Sequence, residues 1–366
     1  MTPSPRPGIL DISPYVGGRA SVPGLAKVWK LSSNESPLGP SPKALAALDE
    51  AKASLSLYPE GSARLLRETL GEVFGLDPAR IVASGDGSDM LLTLLANAYV
   101  QPGDEVIFSQ HAFLVYKIAT LANSGRLAIV PEKTTNSGIK VDVEAMLAAV
   151  TPRTRMVYIA NPNNPTGSYL TKTELRRLHK GLPGGVMLVI DSAYSEYVCA
   201  DDYEDGMALV SESDNVVMTR TFSKIHGLAG LRIGWMYAPA PVCDVINRIR
   251  GPFNTALMQQ LVGIAAIRDR AHIAAAVAHN LKWRAYLTGE IRGLGLRVDD
   301  SAANFVLIHF QPGEKSAAKA DEFLTGRGLI LRGVGNYGLP DALRLTVGPA
   351  EACQLVVAAL QEFMSG

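Results

Sequence analysis

The chain has 366 residues, 47% of them hydrophobic, and its 35 lysines and arginines equal its 35 aspartates and glutamates. A chain of this length and apolar content can bury a large core, and it is long enough for two or three domains. Because the net charge is zero, no overall field favours nucleic acid or an acidic membrane surface.

The cysteines and the N-terminal segment indicate the compartment. Cys199, Cys243 and Cys353 show no pairing pattern and no Cys-x-x-Cys motif, which is typical of a reducing compartment. Residues 1–10 are rich in proline and lack the apolar core of a signal peptide. No stretch reaches the ~20 apolar residues that a membrane-spanning helix needs. The sequence therefore predicts a soluble cytoplasmic protein and favours an enzyme.

In chain order, an irregular arm leads into alternating strands and helices. Residues 1–40 form the arm, Ser41-Pro42-Lys43 opens a helix with proline in its first turn, and a second helix covers 62–73. From there to residue 237, β-rich runs alternate with helical stretches, which indicates an α/β domain with a mostly parallel sheet between helices. The seven predicted strands are 81–83, 105–109, 127–131, 156–160, 187–191, 216–219 and 232–237.

The last third of the chain has a different pattern. Residues 254–290 are rich in alanine and predict a helical connector, and strands at 305–310 and 343–347 mix with helices in a smaller α+β domain. The predicted division is an N-terminal arm with part of the small domain (1–40), a large domain (41–252), and a connector helix with the small C-terminal domain (253–366).

Polar residues follow several of the predicted parallel strands. These are Gly85 to Asp89, the Asn-Pro-Asn-Asn-Pro-Thr-Gly segment at 161–167, Asp191, and Thr221 to Lys224. Parallel sheets bind ligands at the carboxyl ends of their strands. The four strand ends therefore predict one site.

Lys224 is the most informative residue of that site. Apolar neighbours would lower the pKa of its amine and free the lone pair for attack on a carbonyl. The hydroxyls of Thr221 and Ser223, with the guanidinium of Arg232, suit a phosphate. An amine beside a phosphate site is what an aldehyde cofactor such as pyridoxal phosphate (PLP) requires. If the segment around Lys224 stood alone, the simpler interpretation would be a surface lysine in a glycine-rich loop.

Other residues match the remaining parts of such a cofactor. Backbone N–H groups around Gly87, Ser88 and Asp89, just before a helix predicted over 90–99, would bind its phosphate, although an ordinary helix cap is equally consistent. The buried carboxylate of Asp191 would keep the pyridine nitrogen protonated, unless it caps the next helix. The remaining candidates are Tyr194 and Asn164 at the ring oxygen, and Phe113 against the ring face, where an ordinary core position is the alternative.

Together these residues predict a transamination in which Lys224 is central. A substrate amine would displace Lys224 from the cofactor, and the freed lysine would move a proton from the substrate Cα to the cofactor C4′.

Six motifs stand in order along the chain, beginning at Ile12, Lys30, Tyr58, Asn161, Thr221 and Asn336. In this order they resemble the fold-type I, class I/II PLP-dependent aminotransferases, and within them the histidinol-phosphate branch. The resemblance runs nearly end to end and implies a large domain with a mostly parallel seven-stranded sheet flanked by helices, plus a smaller α+β domain. Ser36, Met90, His226 and Asn336 depart from the usual residues of that branch, but none is a predicted cofactor contact.

The resemblance implies further roles. Arg344 would bind the anionic group of the substrate, and Arg332 would add a second contact to a substrate phosphate. The alternative for both arginines is an ion pair at the protein surface. Tyr15 and Asn34 would contact substrate from the N-terminal segment. Tyr58 would reach the cofactor phosphate of the neighbouring subunit, which implies a homodimer with shared sites.

The implied reaction exchanges amino groups between histidinol phosphate and 2-oxoglutarate. An aromatic (phenylalanine or tyrosine) aminotransferase, a threonine-phosphate decarboxylase and a non-catalytic PLP-binding protein are the rival interpretations. The six histidines show no metal-ligand spacing, and neither a Gly-x-Ser-x-Gly elbow nor a P-loop is present. The sequence therefore disfavours metal sites, serine hydrolases and P-loop enzymes.

Overall fold

The computed structural model describes residues 3–14 and 17–366. These residues form twelve helices: α1 (Pro42–Ala51), α2 (Arg64–Phe74), α3 (Gly87–Tyr99), α4 (Leu114–Ala122), α5 (Val143–Ala148), α6 (Lys172–Gly181), α7 (Met207–Ser211), α8 (Ala240–Ile249), α9 (Leu257–Arg268), α10 (Arg270–Gly293), α11 (Ala317–Gly326) and α12 (Ala350–Ser365). They also form fifteen strands: β1 (Trp29–Lys30), β2 (Ile81–Ser84), β3 (Glu105–Ser109), β4 (Arg126–Val130), β5 (Lys133–Thr135), β6 (Gly138–Lys140), β7 (Thr154–Ala160), β8 (Met187–Asp191), β9 (Val216–Thr221), β10 (Gly234–Tyr237), β11 (Arg297–Val298), β12 (Phe305–His309), β13 (Leu329–Ile330), β14 (Arg332–Val334) and β15 (Leu339–Thr346).

The central element is a seven-stranded sheet of order β2-β10-β9-β8-β7-β3-β4. All its pairings are parallel except those of β10, which runs antiparallel to β2 and β9. Every residue of β8 and β9 is buried, because helices cover both faces, and this explains their nearly continuous apolar runs. The seven strands predicted from the sequence are the seven strands of this sheet.

A second sheet, antiparallel and four-stranded, has the order β11-β12-β15-β14 and its own hydrophobic core with α10, α11 and α12. The arm joins this side of the molecule, since β1 pairs in parallel with β13. The domain boundaries at residues 40 and 252 stay a prediction. None of the described helices has the length and apolar character that a membrane crossing demands.

Several predicted boundaries differ from those of the structure. The strand predicted at 232–237 begins at Gly234, because Arg232 has left-handed backbone (φ 54°) after a short 3-10 turn. The helix predicted to start at Met90 begins three residues earlier, at Gly87. The helical stretch 254–290 is two helices, which meet at the buried Asp269. Six strands were not predicted, because each has only two or three residues: β1, β5, β6, β11, β13 and β14.

Candidate active site

A cavity of about 250 Å³ lies at the carboxyl ends of the central parallel strands, between the two sheets and the arm. This is where the sequence placed the site. The cavity brings together thirteen of the predicted residues: Asn34, Ser88, Asp89, Phe113, Asn164, Asp191, Tyr194, Thr221, Ser223, Lys224, Arg232, Arg332 and Arg344. Gly87 begins α3 beside it, and Tyr15 lies outside the described residues.

Lys224 lies three residues after β9 and extends into the cavity. Its Nζ donates a hydrogen bond to the carbonyl oxygen of Ser33 in the arm, at 3.4 Å. Burial, followed by the positive charge of Arg344, lowers the pKa of the Lys224 amine to about 8. An appreciable fraction of the amine is therefore unprotonated near neutral pH and able to act as a nucleophile or a base.

Polar donors cluster at the end of the cavity near α3. The Arg232 guanidinium lies 3.2 Å from Ser223 Oγ and 3.2 Å from Asp89 Oδ2. Thr221 Oγ1 accepts from the Ser223 backbone N–H at 3.1 Å and donates to Ser223 Oγ at 2.9 Å. Hydroxyls and a guanidinium at a helix N-terminus make a site for a dianion such as phosphate.

Two glycines permit the close packing at this end. A Cβ on Gly234, in β10, would lie 2.3 Å from the backbone nitrogen of Ser88. Gly87 has φ +71°, and a Cβ there would lie 2.4 Å from a nitrogen of the Arg232 guanidinium. The first turn of α3 can therefore approach β10 and Arg232 only because neither position has a side chain.

Asp191 ends β8 at the bottom of the cavity and is 4% exposed. Its carboxylate accepts hydrogen bonds from the Tyr116 hydroxyl at 2.9 Å and from Thr219 Oγ1 at 3.4 Å. Burial raises the pKa of the Asp191 carboxyl to about 6, although the Tyr116 bond opposes the rise. Such a carboxylate is well placed to bind a cationic N–H group and gains from doing so. Asp191 lines the cavity, and its carboxylate also accepts from the Ala193 backbone N–H, so its role at the ring nitrogen stays a prediction.

Tyr194 and Asn34 form a hydrogen-bonded pair on the arm side. Asn34 Nδ2 donates to the Tyr194 hydroxyl at 2.8 Å. The Asn34 backbone N–H donates to Thr346 Oγ1 of β15 at 3.0 Å, so the same residue joins the arm to the small sheet. Burial raises the pKa of the Tyr194 phenol to about 12. The hydroxyl is therefore protonated over the physiological range and can donate to an acceptor in the cavity.

Arg344 and Arg332 face each other across β14 and β15, where their Cα atoms are partners in register. Arg344 is 5% exposed and donates to Asn164 Oδ1 and, at 2.7 Å, to the Ser32 carbonyl. Like charges directly opposite on adjacent strands repel. An anion bound between the two guanidinium groups would remove that repulsion, so the pair favours an anionic ligand.

The ring-stacking and inter-subunit predictions concern Phe113 and Tyr58. Phe113 lines the cavity, with its ring edge-on to Tyr116 at 6.0 Å between centroids. Tyr58 does not line this cavity; its side chain is 82% exposed and stacks on Phe253 at 4.7 Å. A residue that serves the neighbouring subunit would lie outside its own cavity, so Tyr58 keeps its predicted role as a proposal.

Several functional contacts were not predicted. Ser32, Ser33, Glu35 and Tyr337 line the cavity, and Tyr116 supports Asp191. The arm residues lack the periodicity that would mark them, and only their position beside Asn34 could have been a signal. In the described part of the chain, no cluster of His, Cys, Asp and Glu suits a metal ion.

Comparison with known proteins gives consistent results. The family model for aminotransferase class I and II matches residues 26–360. Histidinol-phosphate aminotransferases of Rhodopseudomonas palustris strains BisA53 and HaA2 are each 56% identical, with 99% of this chain and 99% of each relative aligned.

Solved structures share the fold. The histidinol-phosphate aminotransferase of Sinorhizobium meliloti, in complex with pyridoxal-5'-phosphate, matches with a TM-score of 0.86 and 28% identity, over 98% of this chain and 96% of that one. A double mutant of the aspartate aminotransferase of Thermus thermophilus matches with a TM-score of 0.81 and 22% identity, over 92% and 91% of the two chains, and shows a common fold alone. The predicted fold-type I architecture is confirmed.

Proposed function

The chain belongs to the class I and II aminotransferase family, and from that premise we propose that it transfers the amino group of L-histidinol phosphate to 2-oxoglutarate, with PLP as cofactor. The products are imidazole-acetol phosphate and L-glutamate, and the step belongs to histidine biosynthesis. The observation that carries the substrate assignment is the Arg332–Arg344 pair, which lies across β14 and β15 at the cavity. The names of the two relatives that are 56% identical support the same substrate assignment.

The cavity fits PLP at each of its functional groups. The Ser88 and Asp89 N–H groups, the hydroxyls of Ser223 and Thr221, and Arg232 would hold the phosphate. Asp191 would hold the pyridine nitrogen, Tyr194 and Asn164 the ring oxygen, and Phe113 the ring face. When bound, the cofactor supplies an electron sink for the negative charge that develops at the substrate Cα.

The chain's own residues supply binding and proton transfer. The Lys224 amine, once unprotonated, would take the proton from the substrate Cα, which its pKa of about 8 permits near neutral pH. Arg332 and Arg344 hold the substrate phosphate, and Arg344 holds the α-carboxylate of glutamate in the second half-reaction. Two converging guanidinium groups suit histidinol phosphate, which carries a phosphate but no carboxylate.

A half-reaction tests this proposal directly. The loaded enzyme is mixed with histidinol phosphate, glutamate or phenylalanine, and the absorbance of the bound cofactor is followed as the amino group is transferred. Fast conversion by histidinol phosphate and glutamate, with slow conversion by phenylalanine, is expected. Conversion by phenylalanine at an equal or higher rate would instead identify an aromatic amino-acid aminotransferase.

Arg332→Ala should separate phosphate recognition from ring recognition. A hydrogen bond to a charged group is worth about 1.5–3 kcal/mol, so kcat/KM for histidinol phosphate should fall about 10- to 100-fold. For phenylalanine we expect a change of less than about threefold, because its ring and carboxylate do not need a second arginine. Arg327→Ala is the matched control, since Arg327 pairs with Glu362 at the surface. Equal losses on both amines would contradict the assignment of Arg332.

We also propose a homodimer in which Tyr58 completes the partner's site. Leu55, Leu57, Tyr58 and Phe253 are exposed by 64%, 68%, 82% and 44%. The Tyr58 and Phe253 rings stack on each other and form one contiguous exposed patch. A second subunit would cover this apolar patch. A hydroxyl that projects from this surface can reach across a two-fold axis.

Tyr58→Phe should weaken cofactor binding without dissociating the dimer. The loss of one hydrogen bond to a charged phosphate should raise the Kd of PLP about tenfold or more, measured by equilibrium titration of cofactor-free protein. Tyr286→Phe is the control, because Tyr286 is partly buried against the small-domain core. A hybrid of Tyr58→Phe and Lys224→Ala chains should regain one tight site that carries Lys224. If the hybrid has no such site, Tyr58 does not act between subunits.

A further inference from the structure

A buried histidine and a buried glutamate lie beside the cavity without a role in the chemistry derived above. His111 follows β3 and is 8% exposed, and it precedes Phe113 by two residues. Glu132 follows the edge strand β4, and its side chain is only 2% exposed. Taking a carboxylate out of water is costly unless a partner compensates, so this pair calls for an explanation.

The His111 ring connects the two sheets. Its Nδ1 lies 2.6 Å from the carbonyl oxygen of Tyr337, 226 residues away. A carbonyl oxygen can only accept, so Nδ1 carries the proton and donates. The other ring nitrogen, Nε2, lies 4.0 Å from Glu132 Oε2, on the side away from Tyr337. The ring therefore lies between the Tyr337 carbonyl and the Glu132 carboxylate.

The surroundings fix the orientation of the ring. Gly338 has φ +81°, and a Cβ there would lie 3.3 Å from two atoms of the His111 ring, so the backbone beside Tyr337 passes close to the imidazole. The His111 carbonyl accepts from Asn163 Nδ2 at 3.1 Å, next to the Asn164 that binds Arg344. Burial raises the pKa of the Glu132 carboxyl, and Ser109 and His111 oppose that rise.

The residue held by His111 belongs to the wall that carries the arginines. Tyr337 lies in the short turn between β14, which carries Arg332, and β15, which carries Arg344. The Tyr337 side chain lines the cavity with both arginines. We propose that His111, backed by Glu132, is a positioning residue that fixes the β14–β15 connection against the large sheet and so prepares the anion-binding wall for the substrate.

The positioning role predicts a specific kinetic effect. Without the bond to Tyr337, substrate binding must order the β14–β15 connection, and this lowers affinity in the ground state and transition state alike. A net loss of about 1.4 kcal/mol corresponds to about a tenfold increase in KM. The rate kcat should stay within about twofold, because His111 is not placed to touch the reacting atoms.

The test compares His111→Phe, His111→Asn and Glu132→Gln in the loaded enzyme. His111→Phe keeps a flat ring without nitrogens and should raise the KM of the amino donor about tenfold. His111→Asn keeps an N–H near the position of Nδ1 and should restore KM to within about threefold of the unaltered enzyme. Glu132→Gln should raise KM about threefold. His179→Phe, which removes an imidazole bonded to Asn215, is the matched control.

The outcomes are distinct. Unchanged KM in a folded His111→Phe protein, an equal defect in His111→Asn, or a fall in kcat alone would each overturn the inference. A lowered Tm without a change in KM would mean that the pair serves stability only. If His111→Phe does not fold, the KM of Glu132→Gln decides in its place. The inference rests on the proposed function only through the choice of donor, and the comparison uses whichever donor the unaltered enzyme accepts.

Discussion

Lys224→Ala should abolish transamination while leaving the fold intact. The amine is the general base of the proposed reaction, and a positioned general base alone contributes roughly 10²–10⁴-fold. Since Lys224 would also hold the cofactor covalently, we expect kcat to fall by about 10⁴-fold or more. The measurement is the rate of the half-reaction with histidinol phosphate, followed by absorbance in single turnover.

Two variants show whether the base or the charge of Lys224 matters. Lys224→Arg keeps a cation in the cavity, but a guanidinium does not lose its proton in proteins, so it should be as inactive as the alanine variant. Lys282→Ala is the control, because Lys282 is exposed on α10. Activity of Lys224→Arg near that of the unaltered enzyme would show that only the charge is needed and would remove Lys224 from proton transfer.

Removal of the lysine should not destabilise the cofactor-free protein at neutral pH. The pKa of Lys224 falls from 10.5 in the unfolded chain to about 8 in the fold, so burial disfavours its charged form. The resulting cost is complete below pH 8 and disappears as the pH rises from about 8 to 10.5. A cofactor-free Lys224→Ala protein should therefore have a Tm at pH 7 no lower than that of the unaltered protein. This separates loss of chemistry from loss of fold.

The sequence predicts those parts of the molecule that local patterns determine. Strands buried on both faces require continuous apolar runs, so all seven strands of the central sheet could be found. A parallel sheet then places its strand ends at one edge, which predicts that Lys224, Asp191 and the 161–167 segment converge. They do line one cavity. Local pattern and topology together were enough to predict that these residues share one cavity.

Contacts between distant segments could not be predicted in this way. Tyr116 and Asp191 are 75 residues apart, and Asn34 and Thr346 are 312 apart. Nothing in the local sequence of one indicates the other, because their distance is set only when the arm and both sheets pack. Arg232 illustrates a local error: apolar neighbours on both sides suggested a strand, but its backbone is left-handed and its carbonyl accepts from Gly87 N–H at 3.2 Å. A tertiary contact here overrides the local pattern.

Asp191→Asn should lower kcat by about 10³-fold or more. The neutral amide cannot hold the pyridine nitrogen in its protonated form, so the cofactor would lose most of its capacity to accept electrons from the substrate Cα. The side chain keeps its size, and its oxygen can still accept from the Tyr116 hydroxyl. The measurement is the single-turnover rate with histidinol phosphate at saturating PLP. Asp300→Asn is the control, since Asp300 pairs with Arg292 at the surface.

The same substitution should have the opposite effect on the stability of the cofactor-free protein. The pKa of Asp191 rises from 3.8 to about 6 on folding, so the folded carboxyl holds its proton more tightly than the unfolded one. Stability from this group is therefore present below pH 3.8 and is lost as the pH rises through about 6. At 1.36 kcal/mol per pKa unit, the charged carboxylate costs roughly 3 kcal/mol at pH 7, a cost that asparagine does not have.

Without cofactor, the Asp191→Asn protein should thus be more stable than the unaltered protein at pH 7. The difference in the free energy of unfolding should shrink toward pH 4. Denaturant unfolding at several pH values measures this difference. With PLP present the order should reverse, because the cationic pyridine nitrogen compensates the buried carboxylate only in the unaltered enzyme. An Asn variant that is less stable at pH 7 without cofactor would mean that Tyr116 and Thr219 already compensate the charge. If the order of stability reverses when PLP binds, the Asp191 carboxylate destabilises the cofactor-free protein. Its benefit then comes from binding the cationic ring.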